Sequence, residues 1–430
     1  MNWTETTLGE ICEAGEGEVQ TGPFGSQLHK SDYRSRGTPV VMPSDIVEGD
    51  ISTVDVARVG DDMVAKLSSH KLREGDIIFG RRGDIGRCAL ITERSEGWLC
   101  GTGCIRVTPG NSGVDSNFLF YYLSLPSTAK WLENHAVGST MANLNTSILE
   151  SVPVQLPPLP IQRRIAEVLS AYDDLIENNK RRIELLEEMA QAVYREWFVE
   201  MRFPGHEDAS MRDTDALGPV PEGWEIGEMS ELLNRHMDTV KPYEEEEETF
   251  GYFSFNAHDE GRLPLLEQGD EIKSNKHEVK SNSVLLSKLN PRIPRTWMTF
   301  PKGEHRPITS TEFMVLVPKP PVTQTYLYSF LASTQFQRRF KSLASGTSTS
   351  HQRVSPRDFL SMPVALPSED VLECCTDMVA PMLHQGHALR RQNKTLRRTR
   401  DFLLPRLVSG EVTVDSMEKE VESTPDIVNA

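Results

Sequence analysis

The sequence lacks the features that identify membrane proteins, secreted proteins and zinc proteins. Among its 430 residues, no apolar run is long enough to cross a membrane, and residues 1–8 do not resemble a secretory signal peptide. Its six cysteines form no Cys-x-x-Cys pair, and no histidine pair with zinc-ligand spacing accompanies them. We therefore expect an intracellular protein with reduced cysteines, without a zinc site and without membrane association.

Motifs for catalysis or cofactor binding are also missing. The sequence contains no phosphate-binding loop and no Gly-x-Gly-x-x-Gly after a strand. Asn290-Pro-Arg-Ile293 only partly matches the Asn/Asp-Pro-Pro-aromatic motif of adenine methyltransferases, because the second proline and the aromatic residue are absent. Asp259, Glu271 and Lys273 fit a metal-dependent nuclease pattern superficially, but a charged chain produces such patterns by chance. We therefore expect no catalytic residue, no metal ligand and no cofactor in this chain.

The acidic composition limits how the chain could meet a nucleic acid. A formal net charge of −17 argues against attraction by the charge of the whole chain. Part of this charge is concentrated in the glutamate run at 244–248 and in an acidic tail at 413–430, which we expect to be disordered. A DNA-binding protein of this composition would need local basic patches or positive charge from partner subunits.

The most informative pattern is an internal duplication. Trp3 has a counterpart in Trp224, and Leu144 has one in Val354, from which point the offset stays at 210 residues through a long helix. The stretches Phe118-Leu-Phe-Tyr-Tyr-Leu123 and Pro153-Val-Gln-Leu-Pro157 correspond to Tyr326-Leu-Tyr-Ser-Phe-Leu331 and Pro363-Val-Ala-Leu-Pro367. This duplication predicts two similar modules with pseudo-twofold symmetry, which suits a ligand with two reading sites such as a DNA duplex.

Strand-like runs punctuated by glycine and aspartate, each set followed by a long amphipathic pattern, indicate an α+β fold in both halves. We expect a first α/β module at 1–155, a spacer helix within 156–203 and a linker at 204–222. A second α/β module is expected at 223–366, followed by a second spacer helix within 367–412.

The two long helices are predicted to pair with each other as an antiparallel coiled coil. Each carries apolar residues at steps of three and four, with charged residues on its other faces. The alternative is that each helix packs only on its own module. The residues expected to mediate pairing, including a polar Asn179 that would fix the register, are Ile165, Val168, Tyr172, Asn179, Ile183, Leu186, Val193, Met378, Met382, Leu389, Leu396 and Leu403.

Polar and basic loops occupy matching places in the two modules and are candidates for DNA contact. Arginine and lysine suit guanine edges and phosphates, while hydroxyl and amide side chains suit phosphates and adenine. The alternatives are solvated charged turns and helix caps. The candidates of the first module are Arg81, Arg82, Ser139, Thr140, Asn143 and Asn145, together with Ser26 and Gln27 of a third loop, 21–28, which only this module has. Those of the second module are Lys288, Asn290, Arg292, Arg295, Thr349, His351, Gln352 and Arg353.

Taken in order, several short motifs resemble those of the specificity subunits of type I restriction-modification systems over nearly the whole chain. The first half carries Gly22-Pro-Phe-Gly-Ser26, the loop at 138–145, Leu156-Pro-Pro-Leu-Pro-Ile-Gln162 and Asn178-Asn-Lys-Arg-Arg-Ile183. The second half carries Leu286-Ser-Lys-Leu-Asn-Pro-Arg-Ile-Pro294, Gln392-Asn-Lys-Thr-Leu396 and Asp401-Phe-Leu-Leu-Pro-Arg-Leu407. Each motif is modest alone, but their order and duplication are specific.

This resemblance implies a function and a set of partners. Each module would be a target-recognition domain that reads one half of a split double-stranded DNA sequence. The helices would set the half-site separation and dock methyltransferase subunits, two per chain. The chain itself would be non-catalytic, with S-adenosylmethionine on the methyltransferase subunits and ATP with Mg²⁺ on restriction/translocase subunits.

The resemblance also places the protein in the cytoplasm of a prokaryotic cell. Two competing hypotheses remain open at this stage. One is a self-contained nuclease or methyltransferase with an atypical site, and the other is a coiled-coil scaffold that does not contact DNA.

Overall fold

The computed structural model describes residues 3–83, 85–136, 143–300, 304–346 and 352–416. The chain divides into two compact units, of which unit 1 comprises Met1–Leu175 and Leu396–Ala430 and unit 2 comprises Ile176–Thr395. Each unit holds one of the expected modules and part of each long helix. None of the described helices is long and apolar enough to cross a membrane.

Unit 1 contains two main sheets, which we call the frame sheet and the mixed sheet. The frame sheet is antiparallel and orders its strands as Glu18–Thr21, Cys104–Thr108, Ile77–Gly80 and Cys88–Leu90. The mixed sheet has the order Leu99–Cys100, Thr38–Val41, Ala57–Val59 and Tyr33–Arg34, and its first pair is parallel. Outside these sheets, Thr4–Thr7 pairs with Pro153–Leu156, and Ile46–Val47 pairs with Asp50–Ile51.

Unit 2 repeats this plan. Its frame sheet is antiparallel in the order Leu233–His236, Phe313–Pro318, Val284–Ser287 and Thr296–Met298. Its mixed sheet has the order Thr239–Val240, Lys276–Glu278, Arg306–Ser310, Thr249–Phe253 and Leu265–Gln268. Outside these sheets, Glu225–Glu228 pairs with Pro363–Leu366, and Ala344–Ser345 pairs with Arg353–Val354. The frame sheets match strand for strand, which confirms the predicted α+β fold with two similar modules.

Each frame sheet is buried on both faces, because successive residues of its strands point into different cores. In unit 1, Ile77 and Phe79 face the core shared with the helices, while Ile78 packs in a second core with the mixed sheet. In unit 2, Leu286 faces the core shared with the helices, while Leu285 packs in a second core with the mixed sheet. A strand buried on both faces forms a continuous apolar run, which is why these strands are recognisable in the sequence.

Short helices precede the two long ones. In unit 1 they are Leu8–Ala14, Asp61–Lys66, Ser116–Leu123, Pro126–His135 and Thr146–Glu150. In unit 2 they are Met229–Leu232, Phe255–Asp259, Gln324–Ala332, Thr334–Ser342 and Pro356–Leu360. The first long helix is Leu159–Phe198 and the second is Glu369–Val408, each of 40 residues.

Segments of the two long helices pair in an antiparallel manner inside each unit. In unit 2, Asn179 contacts Asn393 and Glu187 contacts Arg390, so residue numbers rise along one helix as they fall along the other. The long helices also contribute side chains to the core of the module in each unit. Pairing between the helices and packing on the modules therefore occur together, instead of excluding each other.

The buried stripe of the second long helix differs from the expected one. Met378 was expected to face the first helix, but its side chain is 45% exposed, whereas Val379 is fully buried. Cys375, Val379 and Leu383 also follow steps of four, so the sequence offers two neighbouring apolar stripes and packing against the module selects the second. Of the other expected residues, Ile165, Asn179, Ile183 and Leu389 are buried, while Val168, Tyr172, Leu186, Val193, Met382, Leu396 and Leu403 are half-buried.

Two expected boundaries also need correction. The stretch 204–222 was expected to be a linker, but Met211–Thr214 and Gly218–Pro221 form an antiparallel pair inside it. Val220 of this pair is buried in the core that joins the frame sheet of unit 2 to the helices, which we call the main core of the unit. The segment is therefore part of the folded unit. The tail was expected to begin at residue 413, yet Val414 is buried in the main core of unit 1. The remainder of the expected tail, 417–430, lies outside the described residues.

A buried polar contact joins the two long helices inside unit 2. The side-chain amide of Asn179 donates to Oδ1 of Asn393 at 2.9 Å and to Oε1 of Gln392 at 3.2 Å. Nδ2 of Asn393 in turn donates to the backbone oxygen of Ile176 at 3.1 Å. Both asparagines are buried, and a polar pair in an apolar helix interface favours one register, because any sliding leaves polar groups unsatisfied.

We expect Asn179→Leu to lower the free energy of unfolding of unit 2 by about 1–3 kcal/mol, because Oδ1 of Asn393 would stay buried without its donor. The double variant Asn179→Leu with Asn393→Leu should recover much of this loss, since both polar groups are then removed. Urea unfolding of the full chain, with hydrogen exchange to locate the affected helix, measures both effects. A single variant as stable as the unsubstituted protein would contradict this role.

Candidate nucleic-acid interface

Two polar loops that are distant in the sequence lie side by side in unit 1. One follows the frame strand Ile77–Gly80, and the other leads into the helix Thr146–Glu150. The backbone N–H of Leu144 donates to the backbone oxygen of Arg81 at 3.0 Å. The backbones of Arg82 and Asn143 also form an isolated antiparallel β-bridge. The two candidate loops of the first module therefore form one surface.

The same arrangement recurs in unit 2 at the duplicated positions. The backbone N–H of Val354 donates to the backbone oxygen of Lys288 at 2.9 Å, and the N–H of Asn290 donates to the oxygen of Gln352 at 2.9 Å. Leu144 and Val354 are the residues that begin the constant offset between the two halves. The pairing of the two loops is thus part of the duplicated plan.

The two adjacent arginines of unit 1 have different surroundings. Arg81 is half-buried, and its Nε donates to the backbone oxygen of Leu144 at 3.0 Å, so this side chain holds the two loops together. Arg82 is exposed and forms no ion pair with another described residue. Together with Pro43 and Ser44 it lines an open pocket of about 250 Å³. Of the two, Arg82 is the one that can reach a ligand without breaking an internal bond.

Asn143 and Asn145 have different hydrogen-bond partners and therefore different roles. Oδ1 of Asn145 accepts from the backbone N–H of Ile148 at 2.8 Å, which makes Asn145 the N-cap of the short helix. For Asn145, the alternative given above, a helix cap in place of a DNA contact, is the one that the structure shows. Oδ1 of Asn143, by contrast, is buried and has no hydrogen-bond partner among the described residues. A buried acceptor without a donor is costly, so a bound donor beside Arg82 would stabilise it.

The third candidate loop of unit 1 is closely packed at its base and exposed at its tip. A Cβ at Gly22 would lie 2.0 Å from the backbone oxygen of Gly101, so only glycine fits this close approach. Ser26 and Gln27 are exposed, and Oε1 of Gln27 accepts from the backbone N–H of Phe24 at 3.0 Å. Phe24 itself is 59% exposed, although it was not among the candidates. The sequence shows an aromatic residue between Gly22 and Gly25, but the exposure of its ring is visible only in the structure.

In unit 2, two of the candidate arginines are paired with carboxylates. Arg295 forms a bidentate interaction with Asp259, with Nε–Oδ1 at 2.8 Å and Nη2–Oδ2 at 2.6 Å, and lies over the ring of Phe255. The hydrogen bonds from Arg295 lower the pKa of Asp259 to about 2. Arg353 forms a similar but more exposed pair with Glu312 at 3.1 Å. Arg295 is therefore held by the unit itself, and its expected contact with DNA would compete with Asp259.

The remaining basic side chains of this surface are available to a ligand. Arg292 is exposed and forms no ion pair with another described residue, and Lys288 is half-buried. Burial lowers the pKa of His277, and two nearby cations, Lys288 and Arg235, the latter outside the candidate set, lower it further. Arg235 sits on an edge strand of the frame sheet.

Four of the candidate residues, Ser139, Thr140, Thr349 and His351, lie outside the described residues. The structure describes all three residues of the nuclease-like pattern, Asp259, Glu271 and Lys273. Asp259 is engaged by Arg295, and within the described ranges neither Asp259 nor Glu271 belongs to a group of three side chains placed to share a metal ion. The geometry therefore gives this pattern no support.

The chain is similar to several proteins of known family. Residues 1–188 match the sequence model of the family described as type I restriction modification DNA specificity domain. The MjaIX specificity subunit of a type I restriction enzyme from Methanocaldococcus jannaschii is 22% identical over 96% of this chain and 97% of its own length. The HindI specificity subunit from Haemophilus influenzae is 21% identical over 96% of this chain and 100% of its own.

A solved structure shows the same fold. The crystal structure of a type I restriction-modification S subunit from M. genitalium aligns with a TM-score of 0.59 at 18% identity. The alignment covers 95% of this chain and 96% of that one. At this identity, the likeness concerns the fold.

We expect Arg295→Ala to destabilise unit 2 by about 1 kcal/mol, because it removes a bidentate pair whose arginine is only 14% exposed. Asp259 has a lowered pKa, so the pair stabilises the fold above the ordinary pKa of 3.8 and loses this effect as the pH falls towards 2. The difference in urea midpoint between the variant and the unsubstituted protein should therefore shrink over that range. Arg292→Ala is the matched control, and equal losses in both variants would contradict the assignment.

Proposed function

We propose that this chain is a specificity subunit of a type I restriction-modification system, and that each of its two units reads one half of a split DNA target; the match of residues 1–188 to the DNA specificity domain supports this. The observation that carries the proposal is the duplicated surface formed by two polar loops, at Arg82 and Asn143 in unit 1 and at Lys288 and Gln352 in unit 2. One reading surface per unit matches a target with two half-sites.

The chemistry of these surfaces supports contact with a duplex. An arginine fork can bind the O6 and N7 edge of guanine or a phosphate, and an amide side chain can bind the N6 and N7 edge of adenine. Arg82, Arg292 and Lys288 provide the cations, while Asn143 and Gln352 provide amides beside them. Backbone hydrogen bonds between the loops hold these groups in place before DNA arrives, which reduces the entropy lost on binding.

The net charge of −17 supports a function inside a larger assembly. Phosphate neutralisation gives most protein–DNA complexes much of their affinity, and an acidic chain supplies little of it. We propose that methyltransferase subunits, two per chain, and restriction/translocase subunits complete the complex. In this proposal S-adenosylmethionine, ATP and Mg²⁺ are bound by those partners, in the cytoplasm of a prokaryotic cell.

The chain itself is non-catalytic in this proposal. No described residue set supports the nuclease pattern, and the sequence has no cofactor motif. Cleavage and methyl-transfer assays of the purified chain, with metal ion and S-adenosylmethionine added, distinguish this function from that of a self-contained enzyme.

We expect Arg82→Ala and Arg292→Ala to affect different halves of the target in the assembled complex. A lost base contact should cost about 1–3 kcal/mol and relax one position of one half-site. A lost phosphate contact should instead weaken binding to all sequences alike and reduce its salt dependence. Binding selection on a randomised target library measures both outcomes, and each variant serves as the control for the other. Unchanged affinity and selectivity in both variants would refute the proposed surfaces.

We propose further that the paired helices set the distance between the half-sites. One heptad inserted after Leu175 and one after Thr395 should lengthen the helical pair by about 10 Å and keep the buried stripes nearly in phase. The preferred spacer should grow by roughly three base pairs, at about 3.4 Å per pair. The half-site sequences should stay the same, with reduced affinity because the added pairs rotate one site by about a quarter turn or more. Strong binding to the original spacer would refute this role.

A further inference from the structure

Three side chains of unit 2 converge at the point where its frame sheet meets its mixed sheet. His236 ends the frame strand Leu233–His236, Asp238 lies in the connection to Thr239–Val240, and Glu278 ends the strand Lys276–Glu278. The potential ligand atoms of the three residues all lie within 4.8 Å of one another. Among the described residues, this is the group of histidine, cysteine and carboxylate side chains that is compact enough to share a cation.

The backbone explains why the three side chains meet. Thr239 pairs with His277 and Val240 with Lys276, so the same antiparallel register places Asp238 opposite Glu278. The backbone N–H of Glu278 donates to the backbone oxygen of Asp238 at 3.0 Å, which continues this register by one step. His236 precedes Asp238 by two residues, and positions two apart in extended backbone point to the same side. The sequence did not suggest a metal site, because Glu278 lies 40 residues after Asp238 and 42 residues after His236.

The group is incompletely satisfied by the protein alone. Two carboxylates placed directly opposite each other on neighbouring strands repel. Nε2 of His236 lies 3.4 Å from Oδ2 of Asp238 and 3.9 Å from Oε2 of Glu278. The same Nε2 atom is buried and has no hydrogen-bond partner among the described residues. The nitrogen thus faces two oxygens at distances that are too long, or too poorly aligned, for hydrogen bonds.

We propose that His236, Asp238 and Glu278 bind a divalent transition-metal cation such as Zn²⁺. Zinc binds histidine nitrogen and carboxylate oxygen at about 2.0–2.2 Å, so its ligand atoms lie roughly 3.3 Å apart in a tetrahedral site. The observed separations of 3.4 and 3.9 Å need only small side-chain movements to reach this geometry. Three protein ligands leave a fourth position for water.

The site lies where the two sheets of unit 2 meet, in addition to the hydrophobic core that they share around Leu285 and Phe253. His236 belongs to the frame sheet, whereas Glu278 belongs to the mixed sheet. A bound cation would therefore link these two sheets and stabilise their relative position within the unit. This inference is independent of the proposed DNA-reading function, since it concerns only the folded unit and the cation.

The ammonium group of Lys280 competes with a metal ion for Glu278. Its Nζ lies 2.9 Å from Oε2 of Glu278, the same oxygen that faces His236. A cation at the site must displace this ammonium or repel it, so Lys280 lowers the metal affinity. Removing the charge of Lys280 should increase the affinity, an effect that adventitious binding elsewhere on the acidic surface would not show.

The test uses the full chain, stripped with a chelator and dialysed against ZnCl₂, with bound zinc measured by mass spectrometry. We expect one bound zinc per chain and a higher Tm with zinc than without it. Asp238→Asn and Glu278→Gln should each weaken zinc binding by at least tenfold and abolish the Tm shift. Asp238 is 70% exposed, so its variant should fold normally. Lys280→Met should bind zinc several-fold more tightly.

Glu271→Gln, a carboxylate variant of the same unit outside the group, is the matched control and should bind zinc like the unsubstituted chain. Substitution of Co²⁺ for Zn²⁺ should give visible absorption that disappears in Asp238→Asn. The proposal is overturned if zinc binding is absent, if it is unaffected by Asp238→Asn and Glu278→Gln, or if Lys280→Met fails to increase it.

Discussion

The antiparallel pairing of each module's first strand with the strand before its long helix is the constraint on which both units depend. Thr4–Thr7 pairs with Pro153–Leu156, and Glu225–Glu228 pairs with Pro363–Leu366. Because these strands are about 140–150 residues apart in sequence, each pairing closes a whole module into one body. It also places the short helix before the long one close to the frame sheet. That placement brings the backbone N–H groups of Leu144 and Val354 to the loops after the central frame strands, so closure of the module assembles its candidate interface.

The duplication made the modules, the frame strands and the two long helices predictable, because each leaves a pattern in consecutive residues. The division among the arginines was not predictable in this way. Arg295 and Arg292 are three residues apart and chemically identical, yet Asp259 pairs with one and leaves the other exposed. That difference depends on a carboxylate 36 residues earlier in the chain. Similarly, Met378 and Val379 both continue an apolar stripe, and only the shape of the module core selects Val379.

Charge pairing explains how an acidic protein can still present basic surfaces. Asp259, Glu312 and Glu245 neutralise Arg295, Arg353 and Arg306 inside unit 2. Arg82, Arg292 and Lys288, the basic side chains of the loop surfaces, do not take part in these three ion pairs. In the proposed function, a small number of local cations, in loops joined by backbone hydrogen bonds on an acidic body, would favour recognition at defined positions over general attraction to DNA.

The separation of the hydrophobic cores shows how one plan can carry two modules that differ in their mixed sheets. In each unit, one core joins the frame sheet to the helices, and further cores lie between or within the other parts. The frame sheets match strand for strand, whereas the mixed sheets differ in strand number and order. Substitutions and length changes in a mixed sheet disturb mainly the smaller cores and not the core between the frame sheet and the helices, because distant sites contribute to stability nearly independently. His236, Asp238 and Glu278 lie where these two parts of unit 2 meet, which is where a bound cation could secure a divergent sheet to an unchanged frame.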